Sequence, residues 1–319
     1  MRKQFLFSAF LSVFSLVASV FAAEGILRLK DSSMKNYDIE MWRYARELKT
    51  PSPRPELGHD HVKNASAILE SVEIRTNEWK LRGGPVLPRN HVSRRILFLG
   101  GSITLGWGVH ESKTITSRVE AALREKGESV DVLNGGVGNY NAERYVQRFF
   151  YELEGLEPTD IVVQYFLRDA EKLDPTAANW FLRHSELAAT IWIAINRLLN
   201  KSGEHSLVEH YQDVYRDSQP GFIEMQWQLR QLAEYAGKRN IRLYLAMTPD
   251  VHNLNAYPFG FIHVKMRSVA QAGGYKFVDL LPALGRLSPE QIWAMPGDPH
   301  PNALGHKLMA DAILPVLNQ

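Results

Sequence analysis

The sequence predicts an α/β fold built on a mostly parallel sheet, and three observations carry that expectation. After Arg94 and Arg95, short apolar runs alternate with amphipathic stretches of ten residues or more, the pattern of βαβ units. Each run is brief and has the character of a strand buried on both faces. Right-handed crossovers between such strands place the intervening helices on both sides of the sheet.

Taken in order, strands are expected at Ile96–Leu99, Val130–Leu133, Ile161–Tyr165, Ile241–Met247 and Phe277–Asp279, and helices at Ile115–Lys126, Ala142–Glu154, Ile223–Lys238, Phe261–Ala272 and Ala303–Leu317. These elements make one domain over residues 94–319. Between the third and fourth strands, from about Ala170 to Pro220, the chain is too long for a plain connection. It holds an apolar stretch, Leu187–Leu199, that includes Trp192, and it reads as an insertion near the site, of the kind used as a lid. Residues 24–93 read as an extension packed on the main domain. Pro51, Pro53, Pro55, Pro85 and Pro88 break any long element there, leaving a helix at Asp38–Lys49 and a short strand at Val72–Arg75.

Arg2 and Lys3 precede nineteen uncharged residues, Phe5 to Ala23, before Glu24 closes the run. As a helix the run reaches roughly 28 Å, close to the hydrocarbon thickness of a bilayer. Val20-Phe21-Ala22 also has the small final residue of a signal-peptidase site. Residues 1–23 are therefore expected to be a signal peptide or a membrane anchor. The basic residues before the run place the remainder of the chain outside the cytoplasm in either case. Without Arg2 and Lys3 the chain carries 35 basic and 35 acidic residues, which leaves no electrostatic footprint for nucleic acid. The absence of cysteine excludes disulfides, thiolate metal sites and a cysteine nucleophile.

Reactive groups in open α/β sheets collect at the carboxyl ends of the strands. The first such segment is Gly100-Gly101-Ser102-Ile103-Thr104. Two glycines permit a tight strand-to-helix turn and leave little bulk around the hydroxyl, although such a segment is often no more than a turn. The second lies near the C-terminus, Asp298-Pro299-His300-Pro301-Asn302. A histidine between two prolines is on a stiffened segment, and an aspartate two residues earlier can orient its imidazole. The chain order, serine after the first strand and histidine with aspartate before the last helix, raises both above ordinary turns.

At these residues the chain resembles the SGNH, or GDSL-like, hydrolases. Four blocks carry the resemblance: Ile96 to Thr104 with Gly106-Trp107-Gly108-Val109; Val132 to Asn141; Ile161 to Asp169; and Asp298 to His306. They lie within residues 94–319, in the family's order and spacing apart from the insertion. The resemblance implies a three-layer α/β/α sandwich of flavodoxin-like type, with no metal and no cofactor. It implies that Ser102 attacks an ester carbonyl, that His300 takes its proton and that Asp298 orients His300. The oxyanion would be held by the Ser102 amide, by the amide of Asn139 and by the side chain of Arg168. Three positions and one spacing depart from the family pattern. Gly101 stands where aspartate is common, Asn139 where glycine is, and Arg168 where the family has an asparagine donor; Asp298-x-His300 is also one residue shorter than the usual spacing. Asparagine accepts left-handed backbone better than most residues, so the Asn139 donor is expected to survive.

Other features are given lesser roles. His59-Asp60-His61 can set two imidazoles on one face of an extended segment, but no further ligands cluster nearby. Trp42 with Asp38 and Glu40 is read as packing rather than as a sugar site. His306 is read as structural, and Gly135-Gly136-Val137-Gly138 lacks the full spacing of a nucleotide loop. The expected function is an exported serine esterase or acyl-transferring enzyme, acting on O-acyl esters, chiefly O-acetyl, of cell-surface or secreted polysaccharide. The partners are then an acylated carbohydrate or small ester and, if the N-terminal segment is retained, the membrane. The competing reading is a catalytically impaired SGNH-fold module that binds glycan or assists envelope polysaccharide assembly, and Arg168 is its basis.

Overall fold

A computed structural model describes residues 2–31, 37–173, 184–199, 204–296 and 300–318. The chain divides into two compact units, Met1–Glu47 with Ala177–Lys201 and Leu48–Thr176 with Ser202–Gln319.

The first unit is helical, with helices Arg2–Asp31, Tyr37–Glu47 and Glu186–Leu199. Its N-terminal helix contains a 27-residue apolar segment, Gln4–Lys30, of mean hydropathy 2.2 and with its apolar side chains exposed, compatible with a signal sequence or an anchor. The apolar stretch expected at Leu187–Leu199 is the helix Glu186–Leu199, and its start is closed by Glu24. The Glu24 carboxylate accepts from the Ser185 hydroxyl and from the Glu186 and Leu187 amides, each at 3.0 Å. An acidic side chain there satisfies helix donors that have no partner within the helix. The helix expected at Asp38–Lys49 runs Tyr37–Glu47, stopping short because Lys49 begins a strand.

The second unit opens with two antiparallel pairs, β1 (Lys49–Pro51) with β2 (His59–His61), and β3 (Ser66–Leu69) with β4 (Val72–Arg75). The two-residue turn between β3 and β4 has φ of 51° at Glu70 and 62° at Ser71. Tight hairpin turns with the right twist need positive φ at both central residues, a need usually met by Asn-Gly, so composition hid this hairpin. The chain then builds β5 (Arg94–Gly100), β6 (Val130–Asn134), β7 (Asp160–Phe166), β8 (Arg242–Thr248) and β9 (Lys276–Asp279). They form one all-parallel sheet in the order β6-β5-β7-β8-β9. Numbered along the sheet's own strands this is the 2-1-3-4-5 order of flavodoxin-like folds, with its switch point at β5.

Alternate residues of the strands feed two cores. Leu97, Leu99, Ile161, Val163, Leu243 and Leu245 pack with the helices Ala142–Arg148, Pro220–Arg239 and Gly260–Ala272. Ile96, Phe98, Val162, Tyr244 and Ala246 pack with the helices Ile115–Glu125 and Ala303–Leu317. The sheet is therefore covered on both faces, a three-layer α/β/α sandwich.

Two expected boundaries shift for identifiable reasons. β5 starts two residues before Ile96 because its arginines are paired where they are buried: Arg94 lies 3.0 Å from Asp160, and Arg95 lies 3.3 Å from Asp131. The single helix expected at Ala142–Glu154 is regular only to Arg148, then passes through a wider turn at Phe149–Leu153 and a tighter one at Glu154–Leu156. Arg148 at that break is fully buried, 3.0 Å from Asp60, and donates to the Gly135 and Lys80 carbonyls.

Candidate active site

β5 ends at Gly100, and Ser102 opens the four-residue helix Ser102–Leu105. Gly100 has no room for a side chain: an added Cβ would come within 2.1 Å of the Thr104 hydroxyl oxygen and 2.8 Å of the Gln164 carbonyl oxygen. At Gly101 a Cβ would stand 3.3 Å from the Tyr140 carbonyl oxygen, so the aspartate common in the family would have to shift that turn slightly. The Ser102 amide has no hydrogen-bond partner among the described residues.

His300 Nε2 lies 2.7 Å from Ser102 Oγ, between residues 198 positions apart in sequence. The imidazole is buried and rests near the buried Trp107, with ring centroids 6.4 Å apart. Its segment is held on both sides. The His300 carbonyl accepts from the Ala294 amide at 2.8 Å, Pro301 bridges to Trp293, and the Asn302 amide donates to the Ile292 carbonyl at 2.7 Å. Asn302 also caps the helix Ala303–Leu317, accepting from the Leu304 and Gly305 amides. Asp298, expected to orient His300, lies outside the described residues.

The turn after β6 approaches Ser102 from the neighbouring strand. Val137 donates to the Gly100 carbonyl at 3.1 Å, and at Gly136 a Cβ would come within 2.1 Å of the Leu105 nitrogen. Asn139 has φ of 64°, the left-handed conformation expected for it, and its amide has no partner among the described residues. Sequence reasoning missed what holds this turn. Lys49 Nζ donates to the Gly138 carbonyl at 2.7 Å and His59 Nε2 to the same oxygen at 2.9 Å. The Asn139 carbonyl accepts from Arg144 at 3.2 Å. The histidine pair had been visible as a motif, but its imidazoles go to different carbonyls: His61 Nδ1 lies 3.1 Å from the Lys80 oxygen. Among the described residues no group of three or more ligating side chains gathers.

On the other side of β5, Arg168 lies in the turn Leu167–Ala170 after β7. Its side chain is 57% exposed and its Nε is 3.3 Å from the Glu171 carboxylate. The neighbouring Asp169 is buried and accepts from the Phe166 amide at 3.0 Å; burial raises its carboxyl to about 8. His306 sits beneath the site. Its Nδ1 accepts the Ile115 amide at 3.0 Å, joining the helix Ala303–Leu317 to the start of Ile115–Glu125. Burial first, then Arg82, lowers it to about 3, so it stays neutral.

A hydroxyl in hydrogen-bond contact with an imidazole at the carboxyl edge of a parallel sheet is an arrangement suited to nucleophilic chemistry. Residues 98–308 match the GDSL-like lipase/acylhydrolase family, and the chain belongs to that family, within the SGNH hydrolase class. No protein of curated function matches the chain in sequence. Among solved structures it is similar to LAE5, an alpha/beta hydrolase enzyme from the metagenome of Lake Arreo, Spain, at 18% identity and a TM-score of 0.48 over 71% of this chain and 96% of that one. It is also similar to Axe2, an acetylxylan esterase from Geobacillus stearothermophilus, at 17% identity and a TM-score of 0.48 over 72% of this chain and 95% of that one. A two-domain esterase active on acetylated mannans is 19% identical with a TM-score of 0.44, over 70% of this chain and 48% of that one.

Proposed function

We propose that the chain is an exported serine esterase or acyl-transferring enzyme acting on O-acyl esters, chiefly O-acetyl esters of cell-surface or secreted polysaccharide. The single observation that carries this reading is the 2.7 Å contact between Ser102 Oγ and His300 Nε2. In that contact the hydroxyl donates its proton to the imidazole as Oγ attacks the acyl carbon. The carbonyl π electrons move to oxygen, which the Ser102 and Asn139 amides receive, with the Arg168 guanidinium contributing positive charge. Collapse of the adduct expels the sugar hydroxyl, which takes the proton from His300, and leaves the acyl group on Ser102. Water, or an acceptor hydroxyl, then attacks the acyl-enzyme with His300 again as base, releasing the acid or the transferred ester and restoring Ser102. Asp298 is assigned the part of orienting His300. Export is supported by the apolar segment Gln4–Lys30, and polysaccharide follows from that compartment together with the range of the family.

Acetate release from an acetylated glycan tests this reading directly. Turnover by the native chain that vanishes in Ser102→Ala is the expected result; equal release by both sinks it. Arg168, half-exposed and tied to Glu171, is the observation that favours a non-catalytic glycan-binding module, and Arg168→Asn separates the two. Loss of turnover in that variant places the guanidinium in a working site, whereas turnover gained only in the variant makes the native chain a binding protein.

A further inference from the structure

The residues that hold the turn after β6 converge on one peptide unit. The Gly138 carbonyl and the Asn139 N–H belong to the same trans peptide and point in opposite directions across it. The carbonyl accepts from Lys49 Nζ at 2.7 Å and His59 Nε2 at 2.9 Å. A carbonyl oxygen cannot donate, so His59 carries its proton on Nε2. Two donors on one oxygen set the plane of the peptide and therefore the direction of the N–H on its far edge. The charged donor also draws electron density toward the oxygen, which makes that N–H a stronger hydrogen-bond donor.

We propose that Lys49 and His59 are positioning residues for the oxyanion donor: they clamp the Gly138–Asn139 peptide and strengthen the Asn139 N–H for the charge that develops on the acyl oxygen. The inference rests on the reading of Ser102, His300 and the Asn139 amide as a hydrolytic site. The clamp is itself built into the fold. Lys49 is on β1 and His59 on β2, which are paired strands, and both side chains are largely withdrawn from water. Tyr140, next to the clamped peptide, donates its hydroxyl to the His59 carbonyl and sets its ring tilted against the imidazole, with centroids 5.2 Å apart. Arg144 takes the next carbonyl, that of Asn139, at 3.2 Å. A lysine buried beside an arginine is costly to folding, as expected where its positive charge serves a developing anion.

Lys49 also gives the proposal a signature that packing alone would not. Burial, with Arg144 beside it, lowers its ammonium to about 7. The groups facing it are Arg144 from the helix Ala142–Arg148 and His59 and His61 from β2, and burial keeps both histidines neutral. Lys49 is thus the member of this cluster that changes charge near neutrality.

The test is steady-state hydrolysis of p-nitrophenyl acetate across pH by the full chain and its Ser102→Ala, Lys49→Met, His59→Gln and His59→Leu variants, with melting temperatures recorded. Removing one oxyanion donor costs about 100- to 1,000-fold in kcat, so weakening one should cost about 10- to 100-fold, with KM within about twofold. Lys49→Met should show that loss and also lack the decline in kcat above about pH 7 that the clamp predicts for the native chain. His59→Gln keeps a donor in place and should stay within about threefold of native, while His59→Leu loses about tenfold. A folded Lys49→Met with native kcat, or equal losses in His59→Gln and His59→Leu, overturns the clamp while Ser102-dependent turnover keeps the site. Absence of Ser102-dependent turnover in the native chain overturns both. Should Lys49→Met fail to fold, the native profile decides: kcat falling above about pH 7 supports the clamp, and a flat profile overturns it.

Discussion

Asn139 holds φ at 64°, where a branched side chain meets its own backbone. Glycine enters that region freely, and asparagine does so at modest cost. Asn139→Gly should therefore keep kcat within a few-fold of native. Asn139→Val should lose about 1–2 kcal/mol of stability and most of its turnover, since the strain would swing the amide away from its position. Urea unfolding and ester hydrolysis measured on the same preparations check both halves. At this scale the pairing of Ser102 with His300 was legible in the sequence, because a serine after two glycines and a histidine before the last helix stand in the order a strand-end site requires. Lys49 and His59 were not. They reach a carbonyl 89 and 79 residues away, and nothing in a His-x-His spacing says which backbone oxygen will lie across from it.

The turn after β6 and the helix of Ser102 form one interlocked piece. Gly136 faces the Leu105 nitrogen with space for a hydrogen and no more. Gly136→Ala should push the two apart, costing about 1–3 kcal/mol by overpacking and lowering kcat by displacing Ser102, readable in the denaturation midpoint and in kcat/KM. At the opposite end of the sheet, Asp160 begins β7 fully buried and holds Arg94 from β5 at 3.0 Å and Arg242 from β8 at 2.9 Å. Asp160→Ala takes from Arg94 its buried partner and leaves it Glu128 at 3.1 Å, and should cost toward the lower end of about 3–5 kcal/mol, checked by chemical denaturation. This cluster also explains why the strand centres were legible and their ends were not. Apolar runs mark where a strand is buried, but Arg94, Arg95 and Asp160 enter the sheet only because each meets a partner from another strand. The strand Val72–Arg75 was expected, but its partner Ser66–Leu69 and the turn between them escaped notice for a related reason: Glu70 and Ser71 adopt positive φ without the residues that usually advertise it.

Across the molecule, burial of neutral histidines links stability to pH. His306 and His61 are held at about 3 in the folded chain, against an ordinary value near 6.5 when unfolded. Between those values the unfolded chain binds protons that the folded chain does not. Stability from these two groups is therefore present above about pH 6.5 and falls as pH drops toward 3, at a limiting slope of about 1.4 kcal/mol per pH unit for each. Asp169 works the other way. Raised to about 8, it keeps a proton in the folded chain that the unfolded chain releases above about 3.8, so its contribution fades as pH rises from about 3.8 to 8. Melting temperature should fall steadily from pH 6.5 to 5, and His306→Gln should flatten part of that slope. The layer architecture behind this behaviour was the most legible feature of all, since alternate residues of the same five strands fill two separate cores. Which charged side chains those cores would enclose depended on contacts between distant segments and could not be read from local pattern.

The proposed chemistry depends most on activation of the Ser102 hydroxyl by His300. Intact-mass and peptide mapping after reaction with a fluorophosphonate measures that directly. One adduct per chain, located on Ser102, absent from Ser102→Ala and slowed at least about a thousandfold in His300→Ala, is the predicted result. Modification at another residue, or labelling of His300→Ala at the native rate, would contradict it.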